Sequence, residues 1–170
     1  MASLKSEIAQ AAPFSSLEEE AFLNLLRTSD CLQRAFQQKS RGWGLTSTQY
    51  NVLRILRGAQ PDGYTCAAIG ERMIAMEPDI TRLLRRLKRL KLIRQHRDRQ
   101  DRRVVWTRIS DAGLDLLRSM DPVIQRVPLE LLGHIGRPEL VRMIQLLESA
   151  RQTCMETHSP AKSSQATELG

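Results

Sequence analysis

Residues 78–103 read PDITRLLRRLKRLKLIRQHRDRQDRR, and they hold the clearest structural pattern in the chain. The apolar residues of its first half are spaced as one face of a helix: Ile80, Leu83, Leu84, Leu87 and Leu90. Pro78 suits the first position of that helix, with Glu77 as a weak N-cap. No acid occurs from Thr81 to Lys91, whereas a merely solvated helix surface mixes both signs of charge. The pattern therefore predicts an amphipathic helix whose exposed face is made of arginines.

The basic charge of the protein is concentrated in this stretch. The chain has 170 residues, with 26 Lys and Arg against 19 Asp and Glu, a net charge of +7 and a pI near 9.9. Residues 82–103 hold 11 basic residues and two acids, so they carry +9. The other 148 residues hold 15 basic and 17 acidic groups and sum to −2. A local basic patch on a near-neutral protein indicates a surface that binds nucleic acid.

The elements around the arginine-rich helix form a recognisable order. A short helix that Thr65 can cap precedes it, and residues 74–77 form the turn between the two. Two short strands follow, over 92–96 and 104–109, and a charged hairpin tip at 97–103 joins them. This order predicts a helix-turn-helix followed by a β-wing. One helix fits the major groove of DNA, and a thin ribbon that ends in arginine can reach the minor groove.

The rest of the chain is mostly helical. Capping boxes at 16–19 and 46–49 begin helices over about 17–39 and 47–57, and Pro61 to Gly63 form a turn. Ser110 caps a further helix that Pro122 and Pro128 should kink or interrupt, and Pro138 begins the last one. The predicted fold class is mainly α with a small β-wing, a winged helix-turn-helix domain plus a helical layer. Residues 1–16 are an N-terminal extension, and the polar segment 156–170 is predicted to be disordered.

The sequence resembles the MarR family of winged helix-turn-helix regulators. The matching stretches are residues 45–53, 69–73, 78–87, 92–93, 101–103 and 109–113. Each is unspecific alone, but together and in this order they are characteristic, and the resemblance covers about residues 17–155. One departure is Lys91, which stands where family members usually have glycine. A left-handed residue at this turn would be strained without glycine.

The resemblance implies a homodimer on a pseudo-palindromic operator in double-stranded DNA. The DNA-binding core would be about 46–110, and the helices at about 17–39 and 111–155 would form the dimerisation layer. The family function is transcription regulation, commonly repression that a small aromatic effector or thiol oxidation relieves. In this reading Asp101 orients the wing arginine, and Arg102 or Arg103 enters the minor groove. The predicted DNA-binding residues are Pro78, Asp79, Thr81, Arg82, Arg85, Arg86, Arg89, Arg97, Arg99, Asp101, Arg102 and Arg103.

Other chemistry has little support in the sequence. No catalytic motif or phosphate-binding glycine loop is present, so we expect no enzyme and no cofactor. The three histidines are far apart in sequence, which argues against a metal site. We expect Cys31 to be a buried or half-buried structural thiol, and Cys66 to serve in packing, although either could sense oxidants. Trp43 and Tyr50 are the candidates for an effector site.

The sequence also bears on the cellular location and leaves two alternative functions open. No apolar run approaches a membrane span, no secretory signal is recognisable, and three cysteines are too few for a disulfide framework, so we expect a cytoplasmic protein. The resemblance to the MarR family implies that it is bacterial. Two alternatives remain open. The protein could be a non-specific architectural DNA-binding protein, or an interaction module whose basic helix docks an acidic protein.

Overall fold

The computed structural model describes residues 3–158, which form eight α-helices, one short 3-10 helix (Arg41–Trp43) and three strands in that range. The helices are α1 (Leu4–Glu7), α2 (Leu17–Ser40), α3 (Ser47–Gly58), α4 (Cys66–Glu71), α5 (Ile80–Arg89), α6 (Asp111–Ile124), α7 (Val127–Leu132) and α8 (Arg137–His158). The strands are β1 (Tyr64–Thr65), β2 (Ile93–Arg97) and β3 (Val105–Ile109). The predicted fold class is confirmed. The chain divides into two compact units, one up to residue 131 and one from residue 132.

Short polar side chains begin the helices where the sequence predicts them. The N-caps Ser16, Thr46, Thr65 and Ser110 each accept a hydrogen bond from the amide three residues further on. Thr46 and Gln49 form a complete capping box, since the Gln49 side chain also accepts from the Thr46 amide at 3.1 Å. The box predicted at Ser16 is only half formed, because the Glu19 carboxylate accepts from the amide of Ser15 instead, at 2.6 Å.

The arginine-rich helix α5 begins two residues later than predicted. Its N-cap is Asp79, whose Oδ1 accepts from the Arg82 amide at 2.8 Å. The prediction of Pro78 as the first helical residue, with Glu77 as the cap, is therefore wrong. Aspartate is among the preferred N-cap residues because its short side chain folds back onto the first turn.

The wing is a three-stranded antiparallel sheet in the order β1-β3-β2. Strands β2 and β3 lie within one residue of their predicted bounds, and Ile93 pairs with Ile109. Strand β1 was not predicted; its Tyr64 pairs with Thr107. The turn before β1 needs glycine, because Gly63 has φ +83° and a Cβ there would collide with the Thr107 carbonyl.

One apolar core holds the winged domain together and turns the arginines outward. It is built from side chains of α3, α4, α5, β2, β3 and α6, among them Leu53, Leu56, Ile69, Leu87, Ile93, Leu117 and Met120. Helix α6 continues through Pro122 to Ile124. The chain leaves the helix at residues 125–126, and Pro128 is the second residue of α7.

The two long helices leave apolar side chains uncovered in the single chain. On α2, Leu17, Phe22 and Leu26 are 81%, 59% and 55% exposed. On α8, no side chain from Arg137 to Cys154 is buried, and Val141, Ile144 and Leu146 are more than half exposed. Helix α8 extends to His158; the remainder of the predicted tail, residues 159–170, lies outside the described residues. Within residues 3–158, no helix has the length and hydropathy needed to cross a membrane.

A left-handed residue turns the chain from α5 into β2. Lys91 has φ +60°, its amide donates to the Lys88 carbonyl at 2.9 Å, and the Leu92 amide donates to the Leu87 carbonyl at 3.1 Å. This pair of hydrogen bonds is the Schellman arrangement, in which the left-handed position is usually glycine. The turn keeps its geometry without glycine, at a cost of about 1 kcal/mol for a residue with a Cβ.

Lys91→Gly should therefore stabilise the protein. We expect the free energy of unfolding to rise by about 0.5–1 kcal/mol, because relief of the left-handed strain exceeds the extra entropy that glycine loses on folding. Urea unfolding with an unchanged m-value measures the change. Lys91→Ala is the matched control, since it removes the same charge and keeps the strain. Equal stability of the two variants would show that the gain does not come from φ.

Candidate nucleic-acid interface

Helix α5 presents its basic side chains to solvent because its opposite face is fixed in the core. Leu84 and Leu87 are buried, at 2% and 0% exposure. Five basic residues of the helix are exposed: Arg82, Arg85, Arg86, Lys88 and Arg89. Thr81 is exposed beside them, as are Pro78 and Asp79 just before the helix. The structure thus brings the predicted residues of this helix together on one surface.

These cations are scarcely neutralised by the protein itself. Arg82 Nε lies 3.6 Å from Asp79 Oδ2, and its side chain is 80% exposed. In the part of the chain that the structure describes, Arg85, Arg86 and Arg89 have no acidic partner within 4.0 Å. Like charges crowded on one helix repel each other, and a polyanion relieves that repulsion. The exposed face of α5 is therefore suited to phosphates and to the base edges of a major groove.

The tip of the wing carries the second group of predicted residues. Arg97, Arg99, Arg102 and Arg103 are all exposed, and Arg97 donates to the Arg102 carbonyl at 3.4 Å. Asp101 lies with Arg103: its Oδ1 accepts from the Arg103 amide at 2.9 Å, and Arg103 Nε is 3.5 Å away. The hairpin therefore ends in a compact cationic tip.

Sequence reasoning missed Asp98, which organises this tip. Its Oδ1 accepts from the amides of Gln100 and Asp101 at 2.8 and 3.1 Å, and its Oδ2 accepts from the Trp106 indole at 3.0 Å. The hydrogen bonds from the two amides, and then that from Trp106, hold the pKa of the Asp98 carboxyl below its ordinary value. An aspartate two residues before a polar tip is the signal of an Asx turn that could have identified it.

A cavity of about 480 Å³ lies between α2, α3, the segment that follows α4 and the end of α6. The rings of Phe36 and Tyr50 both line it, and their centroids lie 5.4 Å apart. Burial raises the pKa of the Tyr50 phenol. The Arg54 guanidinium lies 5.9 Å from the Tyr50 ring centroid. Trp43 is not among the lining residues, and its indole donates to Ser119 Oγ at 3.1 Å.

The cavity has charged groups as well as rings. Arg57 pairs with Asp121 at 2.6 Å, and the buried Oδ1 of Asp121 has no hydrogen-bond partner among the described residues. Arg54 has no acidic partner within 4.0 Å among residues 3–158. A mainly apolar cavity that holds two aromatic rings and an unpaired cation is suited to a small ring that carries an acidic group.

The cysteines and the candidate metal ligands do not form a site in the described residues. Cys31 is exposed on α2, so the expectation of a buried or half-buried thiol is wrong; α2 leaves that face uncovered in the single chain. Cys66 is half-buried and packs against the core, as expected. None of the three cysteines, all of which lie in the described range, forms a disulfide. Residues 3–158 contain no group of three or more His, Cys, Asp or Glu side chains placed to hold a metal ion.

Comparison with solved structures gives close matches. A MarR transcription factor from Planctomyces limnophilus is 37% identical, with 80% of this chain and 98% of that chain covered and a TM-score of 0.62. The S. aureus MepR–DNA complex is 25% identical, with coverage of 78% and 97% and a TM-score of 0.71. Bordetella bronchiseptica BpsR, whose DNA binding is regulated by 6-hydroxynicotinic acid, is 24% identical, with coverage of 82% and 98% and a TM-score of 0.71. No protein-family model and no curated protein matches the chain.

Proposed function

The chain belongs to the MarR family of DNA-binding transcription regulators, and from that premise we propose that it is a homodimeric, sequence-specific repressor that a small molecule releases from DNA. The observation that carries the proposal is the exposed, uncompensated arginine face of α5 beside the cationic wing. Helix α5 would read base edges in the major groove of double-stranded DNA. The wing tip would contact phosphates and the minor groove. We place the protein in the bacterial cytoplasm, where cysteine thiols stay reduced.

The exposed apolar residues of α2 and α8 support the homodimer. Uncovered side chains such as Phe22, Leu26 and Ile144 are costly in water, and a second copy of this chain is the partner that the family suggests. A twofold dimer presents two α5 helices, so the operator would be a pseudo-palindrome. Its half-sites would lie about one helical turn apart, roughly 10 bp from centre to centre.

The cavity supports release by an effector. Three of its lining residues, 73–75, belong to the segment that leads from α4 to the N-cap of α5. The Asn51 side chain, which also lines the cavity, accepts from the Ile74 amide at 3.1 Å. A ligand held against this segment would alter the placement of α5. The charges of the cavity favour a small aromatic acid, whose anion would pair with Arg54.

Titration against two duplexes tests the DNA-binding proposal. One duplex carries the region upstream of the protein's own gene, the other the same bases scrambled, and each is titrated at two salt concentrations. We expect preference for the first duplex and a steep loss of affinity with salt. Equal binding to both would favour an architectural protein, and absence of duplex binding would favour an acidic protein partner. Light scattering at tens of micromolar measures the oligomer, and a monomer would contradict the dimer.

Arg54→Gln tests the effector site. Benzoate and its hydroxylated derivatives are the probes, added to the protein–operator complex. We expect the variant to bind operator normally and to need about tenfold more probe for release, because it loses one charge-assisted hydrogen bond. Arg34→Gln, on α2 and outside the cavity, is the matched control. If both variants respond to the probe as the native protein does, Arg54 does not bind it.

A further inference from the structure

The tip of the wing is held by one carboxylate that bridges it to the sheet. Asp98 accepts two amides of the tip through Oδ1 and the indole N–H of Trp106 through Oδ2. Its own amide donates to the Val104 carbonyl at 2.9 Å and closes the hairpin. Trp106 lies on β3, the central strand of the sheet, and pairs there with His96 of β2 and Thr65 of β1. Asp98 therefore connects the tip to the one strand of the wing that pairs with a neighbour on both sides.

A second carboxylate continues the connection toward the arginines. The amide of Asp101 donates to Asp98, and the Asp101 side chain in turn accepts from the Arg103 amide. Arg103 itself is 94% exposed and has no other support from a side chain among the described residues. The position of its guanidinium thus depends on Asp101, whose backbone is in turn held by Asp98.

We propose that Asp98 is a positioning residue for DNA binding: together with Trp106 it fixes the tip so that the wing arginines are ordered before DNA arrives. The inference rests on the proposed DNA binding and adds to it a residue that bears the wrong charge for DNA. Ordering long side chains on binding costs affinity, and a preformed tip avoids part of that cost. Asp98 uses its carboxylate oxygens within the hairpin, so its charge is offset by the donors around it.

The proposal and simple electrostatics predict opposite results for Asp98→Ala. The substitution removes a negative charge from the DNA-facing surface, which on charge alone should tighten binding. We expect the affinity for operator to fall about tenfold instead, since the tip loses three hydrogen bonds and the arginines must be ordered on binding. The salt dependence should also become shallower, by about one unit for each phosphate that the wing no longer neutralises.

Companion variants separate positioning from general damage. Asp98→Asn keeps an acceptor for the two amides but cannot serve both them and the indole, so its loss should be smaller. Trp106→Phe removes only the indole donor, and the double variant Asp98→Asn with Trp106→Phe should lose little more than either alone. Glu77→Gln is the control for charge, because it removes a negative charge just before α5. The Glu77 side chain itself makes no hydrogen bond within residues 3–158.

The outcomes distinguish this inference from the function on which it rests. A retained cooperative melting transition, together with binding that Asp98→Ala weakens and Asp98→Asn weakens less, would support positioning. Binding by Asp98→Ala that is unchanged, or as tight as that of Glu77→Gln, would overturn it. Additive losses in the double variant would remove Trp106 from the proposal. If the native protein binds no duplex, the proposed function itself fails.

Discussion

Gly113→Ala should lower the free energy of unfolding by about 3 kcal/mol. Gly113 lies in the first turn of α6, where a Cβ would overlap the Leu92 carbonyl oxygen and lie 2.7 Å from Ile109 Cγ1. That carbonyl cannot move aside, because it accepts from the Ser110 amide at 3.0 Å and follows directly on the left-handed Lys91. The melting temperature should fall by roughly 6–12 °C.

Gly58→Ala is the matched control for this prediction. Gly58 is the last residue of α3, and a Cβ there meets nothing within 4 Å. Alanine should therefore leave stability unchanged or raise it by up to about 0.5 kcal/mol, since it is a better helix former than glycine. Calorimetry of the two variants measures the difference. If Gly113→Ala loses no more stability than Gly58→Ala, the backbone where α5, β2 and α6 meet can shift to accommodate a Cβ at little cost.

The sequence predicted those parts of the fold that depend on neighbouring residues. A cap such as Thr46 bonds three residues away, and the stripe from Ile80 to Leu87 repeats with the helix, so both can be recognised in a short window. The error at the start of α5 is of the same local kind. Pro78 favours a first helical position by its fixed φ, but the Asp79 side chain supplies the bond that begins the helix at Ile80.

Other parts depend on residues far apart in the chain. The two residues of β1 form a strand because they pair with Thr107 and Trp106, more than 40 positions later. The cavity is bounded by four separate segments, so Tyr50 could be suggested as a lining residue, while Trp43 could not be excluded. From the sequence, Asp98 contributes only its charge, because its hydrogen bonds form only when the hairpin has closed.

The largest effect on DNA binding is expected at the beginning of α5. Arg82 and Arg85 are exposed one turn apart, and Arg85 has no acidic partner within 4.0 Å among residues 3–158. If each contacts guanine O6 and N7, an alanine variant should lose about 1–3 kcal/mol in each half-site. A dimer on two half-sites would then lose about 2–6 kcal/mol on operator and much less on scrambled duplex. Titration of both duplexes at two salt concentrations measures this.

The wing should behave differently from the helix. Contacts to phosphates and to the minor groove carry little sequence information. Arg102→Ala should therefore weaken operator and scrambled duplex about equally, and reduce the salt slope by about one unit. The same titration applied to Arg102 and Arg85 variants thus compares two arginines of equal charge. Their different losses on scrambled DNA would separate base reading from backbone contact.

Asp101→Ala gives this comparison its internal control. It removes a negative charge, so electrostatics alone predicts tighter binding. Because Asp101 accepts from the Arg103 amide and lies 3.5 Å from Arg103 Nε, we expect weaker binding despite the more favourable charge. Tighter binding would discard the orienting role of Asp101. Equal losses on both duplexes for the Arg82 and Arg85 variants would reduce α5 from a reader of bases to a clamp on the backbone, and specificity would then have to come from the shape of the DNA.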